Sequence, residues 1–225
     1  TTLYMEKMDS IIHDDCFNIL PNIEESSVQL LFTSVPDIND LGFDAIQEEY
    51  IEFLNRALLQ FCRIIKNTGF IVLCQSDRKM KGKIFSKHSY IINKMEDFDY
   101  ILKDYKIVVK TNIESKDQYI FPYLHLCVFT REGKILRKGD WLRNILVYKM
   151  MKSAIGSHHD WPEEFVKLVI SYLSNEDDLV VDPFAGSGVV PCVAREMNRK
   201  YVGIELDKAQ YEEMQQRCST STLPF

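Results

Sequence analysis

The sequence predicts a Rossmann-like α/β fold, with a mostly parallel, twisted sheet that carries helices on both faces. Short apolar runs alternate along the chain with segments of helical periodicity. Near the C-terminus a strand, a glycine loop, a helix and a second strand ending in an acidic residue follow one another. The chain has 225 residues, 46% of them hydrophobic, which suits one domain over 1–225 with a buried core.

Two strands and a helix are predicted in the N-terminal third. Residues 28–32, VQLLF, read as a buried strand that ends at Thr33. Residues 48–66 predict a helix, since apolar residues recur there at spacings of three and four, namely Ile51, Leu54, Leu58, Phe61 and Ile65. Asn67-Thr68-Gly69 is a turn signal that ends this helix, and residues 70–74, FIVLC, predict the next strand.

Further elements are predicted in the rest of the chain. Segments around Val108 and over 123–129 predict two strands, and 130–157 is expected to contain loops. Pro162 opens a helix, because a proline fits the first helical turn, and its apolar face is Phe165, Leu168, Val169, Tyr172 and Leu173. The remaining predictions are a strand over 179–181, a helix over 189–197, a strand over 201–204 and a helix over 207–217.

The charge of the chain is unevenly distributed. The net charge is −6, but residues 76–152 carry 17 basic against 9 acidic residues, which leaves +8 there and −14 in the remainder. A basic segment between acidic flanks predicts a face that meets phosphates. The predicted phosphate contacts form two clusters: Lys79, Lys81, Lys83 and Lys87, then Arg131, Lys134, Arg137, Lys138 and Arg143.

Cysteine usage predicts a reducing compartment. The six cysteines form no CxxC pair and most lie in apolar runs, so we expect buried free thiols and no metal site. No signal peptide and no membrane-spanning stretch is visible. We therefore expect an intracellular protein, in the cytoplasm or, in a eukaryote, the nucleus.

The glycine loop VVDPFAGSG at residues 180–188 is the most informative local pattern. Gly186 and Gly188 allow a tight turn against a ligand, and the following helix points free amides toward it. Glu205 ends the next strand and is placed to accept the two hydroxyls of a ribose. The loop lacks the third glycine of a dinucleotide site and the Gly-Lys-Ser/Thr of a P-loop. An acidic Asp182 beside the loop suits an ammonium and a sulfonium better than a pyrophosphate.

Four ordered segments resemble the β-class amino-group DNA methyltransferases, whose glycine loop lies near the C-terminus. DPFAGSG followed by GIEL resembles their cofactor loop. HDDCFNILPNIEESSVQLLFTSVPD at 13–37, TGFIVLC at 68–74 and the segment 157–188 match in the same order. The resemblance covers most of the chain except 76–150. It implies a class I methyltransferase fold, S-adenosylmethionine as cofactor and DNA as substrate.

The resemblance also implies residue roles around the cofactor. Glu205 would hold the ribose, and Asp15 with the backbone of Cys16 would meet the adenine edge. The methionine part would lie against the loop. The residues assigned to the cofactor are Asp15, Cys16, Thr33, Asp182, Pro183, Phe184, Ala185, Gly186, Ser187, Gly188 and Glu205. In the family, a histidine is followed by three residues, an aromatic residue and a proline. Counted from His158, this sequence has one residue fewer, which leaves the roles of His158 and His159 open.

The family's catalytic tetrapeptide, Ser/Asp/Asn-Pro-Pro-aromatic, corresponds here to Ser34-Val35-Pro36-Asp37. In the family, the first side chain and the second carbonyl accept hydrogen bonds from the target amino group, and the aromatic ring stacks on the base. Val35 replaces a proline, and Asp37 replaces the stacking ring, for which Phe43 or Trp161 could substitute. We expect a catalytic turn at Ser34, Val35, Pro36 and Asp37. The serine form favours cytosine N4 over adenine N6 by family association.

Other functions stay open at this stage. An RNA methyltransferase and a non-catalytic DNA-binding subunit are alternatives, the second supported by the changes at Val35 and Asp37. The missing third glycine argues against a dinucleotide oxidoreductase. We expect three segments: a catalytic half at about 1–75, a basic target-recognition segment at about 76–150 and a cofactor-binding half at about 151–225. Because the middle segment is short, a homodimer or partner subunit is also expected.

Overall fold

The computed structural model describes residues 9–38, 41, 47–80, 83–111, 122–135, 139, 141, 143–152 and 159–220. The first elements are β1 (Ser10–His13), α1 (Cys16–Ile19), a 3-10 turn (Leu20–Asn22), β2 (Val28–Thr33), α2 (Gln47–Ile64) and β3 (Ile65–Gln75). Next come β4 (Arg78–Met80), β5 (Lys83–Phe85), α3 (Lys87–Asp97), β6 (Ile101–Lys110), β7 (Tyr123–Thr130) and β8 (Ile145–Tyr148). The last are β9 (Met151–Lys152), β10 (His159–Asp160), α4 (Glu163–Leu173), β11 (Leu179–Asp182), α5 (Val189–Glu196), β12 (Lys200–Glu205) and α6 (Lys208–Thr220). Within these ranges, no helix has the length and apolarity needed to cross a bilayer.

Eight of the described strands form one sheet in the order β1-β12-β11-β2-β3-β7-β6-β8. Five neighbouring strands of this sheet, β1, β12, β11, β2 and β3, run parallel to one another. β7 is antiparallel to both β3 and β6, and β8 pairs parallel with β6 at the other edge. The prediction of a mostly parallel α/β sheet is confirmed. Because these five parallel strands point the same way, their carboxyl ends meet along one edge of the sheet.

The helices cover both faces of the sheet, and the alternation along β2 shows how. Leu31 belongs to a buried cluster that includes residues of α1, α2 and α3. Its neighbour Leu30 belongs to a second cluster, which includes residues of α4 and α5. Successive side chains of a strand point to opposite faces, so an entirely apolar run is needed when both faces are covered. α6 contributes to a third, smaller cluster with α5 around Met214.

The turn predicted at Asn67-Thr68-Gly69 is wrong as a separator between helix and strand. β3 begins at Ile65, directly after α2, and includes these three residues. The pairing of β2 with β3 jumps from Val28 with Ile65 to Leu30 with Phe70, so these three residues bulge out of the pairing. The Glu132 amide donates to the Asn67 carbonyl at 2.9 Å, which joins the bulge to the segment after β7. The turn-forming residues thus interrupt the pairing without ending the strand.

Several elements were not predicted. β1, α1, α3 and the β4–β5 hairpin lie in segments for which no element was expected, and β8 lies within 130–157, where loops were expected. The other predicted elements are present, with ends that differ by a few residues from the predicted ones.

The expectation of six free thiols is wrong for two of them. Cys192 on α5 and Cys218 on α6 form a disulfide, whereas the other four cysteines are free and buried. The two bonded residues lie 26 positions apart, and their Cα atoms are 5.2 Å apart. α5 and α6 both pack around Met214, which brings the two sulfur atoms together.

Candidate active site

The glycine loop leaves the end of β11 and turns into α5. Gly186 and Gly188 have φ angles of +53° and +83°, which L side chains rarely adopt. A Cβ atom on Gly188 would lie 2.3 Å from Cγ of Met214, so α6 packs directly against the loop. The Gly188 amide donates to the Ala185 carbonyl at 2.8 Å, which closes the turn. The loop is therefore tight and fixed on its outer side.

Asp182 is the buried acid of this loop, with 4% of its surface exposed. Its Oδ1 atom accepts hydrogen bonds from the Thr33 hydroxyl at 2.6 Å and from the Phe184 amide at 3.1 Å. Burial raises the pKa of Asp182 to about 7, although these two hydrogen bonds act in the opposite direction. A cation brought next to this carboxyl group would stabilise its ionised form.

Glu205, at the end of β12, is oriented by two backbone amides. Its Oε2 atom accepts from the Gly186 amide and its Oε1 atom from the Asp207 amide, both at 2.8 Å. Each carboxylate oxygen has a further lone pair, so the oriented group still has capacity to accept hydroxyl donors. The contact with Gly186 also joins this carboxylate to the glycine loop.

Asp15 caps α1 at the end of β1. Its Oδ1 atom accepts from the Phe17 amide at 2.9 Å, which satisfies one of the free amides of the first helical turn. Cys16 is buried, and burial raises the pKa of its thiol, so the side chain stays neutral. The carboxylate of Asp15 and the backbone of Cys16 thus sit next to the strand end that adjoins Glu205.

Ser34, Val35, Pro36 and Asp37 form the turn that follows β2. Ser34 is exposed, whereas Val35 is buried. The Pro36 carbonyl accepts a hydrogen bond of 2.8 Å from the Tyr50 hydroxyl, which anchors the turn to α2. The exposed hydroxyl of Ser34 is thereby carried on a turn that the adjacent helix holds in place.

Asp37 is held by two cations. Lys87 Nζ lies 2.7 Å from its Oδ1 atom, and Arg78 Nε and Nη2 both lie 2.6 Å from its Oδ2 atom. Lys87 Nζ is also 3.5 Å from the Val35 carbonyl. The prediction that Lys87 contacts DNA phosphates is wrong, because this residue is 1% exposed and its charge is engaged by Asp37.

One cavity of about 1100 Å³ is lined by both groups of residues. Its wall includes all four residues of the turn, together with Asp15, Cys16, Glu205 and the residues from Asp182 to Ser187. Gly188 is absent from the wall, although its two neighbours Ser187 and Val189 line it. Thr33 lies behind the wall, hydrogen-bonded to Asp182. The structure thus places an exposed hydroxyl and an acidic, glycine-rich loop on the wall of one open cavity.

The two aromatic residues named as substitutes for the missing ring differ in outcome. Trp161 lines the cavity, with its ring stacked on Phe32 at 4.9 Å between centroids and 15° between planes. It also meets Phe165 edge to face. Phe43 lies outside the described residues, as does His158, while His159 lies on β10.

The predicted phosphate contacts are spread over several elements. Lys79 lies on β4, Lys83 is exposed on β5, and Arg143 is exposed just before β8. Arg131 lies over the Tyr100 ring at 4.4 Å, and Lys134 is exposed. Lys81, Arg137 and Lys138 lie outside the described residues.

A polar cluster that the sequence did not reveal lies beside the turn. Asp77 accepts from Nδ1 of His88 at 2.8 Å, and Nε2 of the buried His125 lies 3.7 Å from Asp77 Oδ2. The two imidazole rings are stacked, with centroids 3.7 Å apart and planes at 12°. The hydrogen bond between Asp77 and His88 joins the segment after β3 to the start of α3.

The functional residues that sequence reasoning missed are Arg78 and Lys87 in their role as partners of Asp37. A signal for Lys87 was present, because the buried residues of α3 are Lys87, Ile91 and Met95, at a spacing of four. That spacing places the lysine on the buried face of its helix. No comparable pattern marks Arg78, which lies on a three-residue strand.

Comparisons with known proteins agree with this geometry. A family model of N6/N4 type, described as DNA methylase, matches residues 28–216. Type II methyltransferase M.HpaI of Haemophilus parainfluenzae is 39% identical over an alignment of 240 positions, which covers 93% of this chain and 74% of that protein. The cytosine-N4-specific PvuII DNA methyltransferase has a TM-score of 0.80 at 19% identity, covering 96% of this chain and 88% of that one. TTHA0409 of Thermus thermophilus, complexed with S-adenosyl-L-methionine, has a TM-score of 0.75 at 20% identity, covering 96% and 95%.

Proposed function

Because this chain belongs to the N6/N4 family of DNA methylases, we propose that it methylates an exocyclic amino nitrogen of a base in DNA, cytosine N4 in preference to adenine N6. The methyl donor is S-adenosylmethionine. The single observation that supports the assignment of roles is the shared cavity, whose wall includes the turn at Ser34 and the acidic glycine loop.

The residues around the glycine loop fit this cofactor. Asp182 is a buried carboxyl group that a positive ammonium or sulfonium would stabilise in its ionised form. Glu205 is oriented by two amides and can accept ribose hydroxyls. Gly186 and Gly188 allow the left-handed turn that shapes the loop, and Gly186 lines the cavity. Bound there, S-adenosylmethionine supplies an electrophilic methyl group.

The turn after β2 provides the acceptors for the target amino group. The Ser34 hydroxyl and the Val35 carbonyl would accept its two hydrogens and so orient the nitrogen lone pair toward the cofactor side of the cavity. Such alignment lowers the barrier without a fully deprotonated nitrogen. The base must leave the duplex to enter the cavity. Tyr50 and Lys87 hold the turn in place through Pro36 and Asp37.

The choice between the two target bases rests on Ser34, because the serine form of the tetrapeptide favours cytosine N4. Adenine N6 is the second candidate, since the family contains both kinds of enzyme. We further propose that the chain is one methyltransferase domain in three segments, acts inside the cell where DNA is present, and binds DNA as a homodimer or with a partner subunit.

The test is methyl transfer from labelled S-adenosylmethionine to duplex DNA, followed by digestion to nucleosides and chromatography. We expect label in N4-methylcytosine for the wild type and a loss of at least a hundredfold in Ser34→Ala. Ser27→Ala is the matched control, because Ser27 lies at the opposite end of β2 and bonds to the Glu24 carbonyl. Equal incorporation in wild type and Ser34→Ala would remove Ser34 from the proposed mechanism.

Three further outcomes separate the alternatives. Label in N6-methyladenine would assign the second candidate base. Transfer to RNA but not to DNA would overturn the DNA assignment. Calorimetric titration with S-adenosylmethionine tests the non-catalytic alternative, because a chain that serves only as a DNA-binding subunit is expected to bind no cofactor.

A further inference from the structure

Asp37 connects a buried cation to an accessible one. The Lys87 side chain is 2% exposed and the Asp37 side chain 14% exposed, whereas the Arg78 side chain is 44% exposed. Lys87 is fixed in α3 and reaches Asp37 Oδ1, while Arg78 reaches Oδ2 from β4. The ion pairs therefore lead from Lys87, which is buried, through Asp37 to Arg78, which lines the cavity.

The contacts also direct one edge of the Arg78 guanidinium group. Nε and Nη2 both point at Asp37 Oδ2, so that edge of the planar group faces the carboxylate. Because the two nitrogens share one oxygen, the contacts fix the position of the edge, and the covalent stem from β4 limits rotation of the plane about it. A guanidinium group held in this way presents a defined plane, which a lysine in the same position would lack.

Arg78 and Ser34 lie on the same cavity wall, and Asp37 joins them, since it follows Ser34 by three positions and bonds directly to Arg78. A base whose amino group reaches Ser34 must lie flat against some neighbouring surface. Guanidinium planes stack on nucleic acid bases, as aromatic rings do. Asp37 itself has no face on which a base could stack.

Resting on the proposed function, we propose that the guanidinium plane of Arg78 is the stacking surface for the extruded base. Asp37 and Lys87 act as positioning residues that hold that plane. The acidic residue at the fourth place of the turn thus serves the site by orienting an arginine from another strand. Trp161 is the competing surface, because it also lines the cavity, with its ring stacked on Phe32 and meeting Phe165 edge to face.

The experiment separates planarity from charge. Arg78→Lys keeps the charge and removes the plane, whereas Arg78→Phe keeps a plane and removes the charge. Lys200→Gln, an exposed position at the start of β12, controls for the loss of one positive charge. Each variant is titrated with a duplex that contains the mapped target base and with the same duplex carrying an abasic site there. The ratio of the two affinities reports the contribution of the base alone.

We expect Arg78→Lys to reduce that ratio by about tenfold to a hundredfold, the range that loss of one base-stacking contact produces. Arg78→Phe and Lys200→Gln are expected to keep the ratio within about threefold of wild type. The proposal is overturned if Arg78→Lys keeps the wild-type ratio, or if Arg78→Phe loses as much as Arg78→Lys. It is also overturned if Trp161→Leu removes the ratio while Arg78→Lys keeps it.

Binding of S-adenosylmethionine keeps this test independent of the proposed function. All four variants are expected to bind the cofactor like wild type, which shows that they are folded. If wild type transfers no methyl group, the proposed function fails. If wild type transfers the group and the affinity ratio is insensitive to Arg78→Lys, only the stacking role fails.

Discussion

The Thr33 hydroxyl donates a hydrogen bond of 2.6 Å to Oδ1 of Asp182, and so ties the end of β2 to the end of β11. Both residues are buried, and they lie 149 positions apart in the chain. One strand end leads into the turn from Ser34 to Asp37 and the other into the glycine loop. This single contact therefore links the two parts of the candidate active site.

The affinity for S-adenosylmethionine is expected to rise with pH up to about 7. Burial raises the pKa of Asp182 to about 7, so below that pH the neutral acid must lose a proton before it can pair with the ammonium group. The affinity should therefore fall by up to about tenfold for each pH unit below 7. Calorimetric titration over a window of about three pH units that brackets this pKa measures the profile.

Thr33→Val sharpens this test, because it removes one of the hydrogen bonds that lower the pKa of Asp182. The profile of the variant should move to higher pH. Thr130→Val is the matched control, since Thr130 is a buried threonine whose hydroxyl donates to the Gly69 carbonyl instead. A profile that stays flat with pH in the wild type would contradict the role assigned to Asp182.

Asp182→Asn is expected to raise stability and weaken cofactor binding at pH 8. The carboxyl group ionises at its ordinary value of 3.8 in the unfolded chain and at about 7 in the folded one. Between these values the folded state keeps a proton that the unfolded state releases, so the free energy of unfolding falls by up to about 1.4 kcal/mol per pH unit. The asparagine variant lacks this loss. Urea denaturation at pH 4 and pH 8 should show the two proteins diverging as pH rises; parallel changes would contradict it.

Gly188→Ala is expected to destabilise the protein by roughly 2–4 kcal/mol. The alanine would adopt a left-handed conformation, and its Cβ atom would lie 2.3 Å from Cγ of Met214. The double variant Gly188→Ala/Met214→Ala helps to separate the two costs, because it removes the close Cγ and Sδ atoms of Met214, keeps only the Cβ contact of 2.9 Å and keeps the backbone strain. Thermal denaturation measures both. If the destabilisation of the double variant exceeds the sum of the destabilisations of the two single variants, the clash with Met214 is not the cause.

Lys87→Met is expected to lower the free energy of unfolding by roughly 3 kcal/mol, because it leaves Asp37 without its buried partner. Arg78 still neutralises the carboxylate, which keeps the loss at the lower end of the range for a broken buried pair. Lys167→Met is the control, since Lys167 is 44% exposed and pairs with Glu163 and Glu196 on the surface. That control should cost under about 1 kcal/mol in urea denaturation. Equal losses in the two variants would show that the pair with Asp37 contributes no more than a surface one.

The strands that position the candidate site could be predicted from the sequence. VQLLF before Thr33 is apolar except for Gln29, and the run before Asp182 is apolar throughout, because both faces of these strands are covered. Each run ends at a polar residue, and parallel strands bring such ends to one edge of the sheet. The sequence therefore predicts that the turn after β2 and the glycine loop lie near each other.

The contacts made by Asp37 could not be predicted in the same way. Charge patterning marks 76–152 as basic but does not indicate which cation returns to the turn. Lys87 was interpreted as a surface residue, although it falls in step with Ile91 and Met95 on the buried face of α3. The disulfide is a similar case, because only the packing of α5 against α6 brings Cys192 to Cys218. The direct passage from α2 into β3 also depends on pairing with β2.

The position of β2 between β3 and β11 has a consequence for biosynthesis. On the ribosome, β2 and β3 can associate once residue 75 has emerged, but the opposite side of β2 stays open until residue 182 has been made. During that interval the nascent chain presents an unpaired and mostly apolar strand, which is the kind of edge that attracts other chains. Translation of the second half must therefore be completed, or a chaperone must shield the strand, before this protein is safe from aggregation.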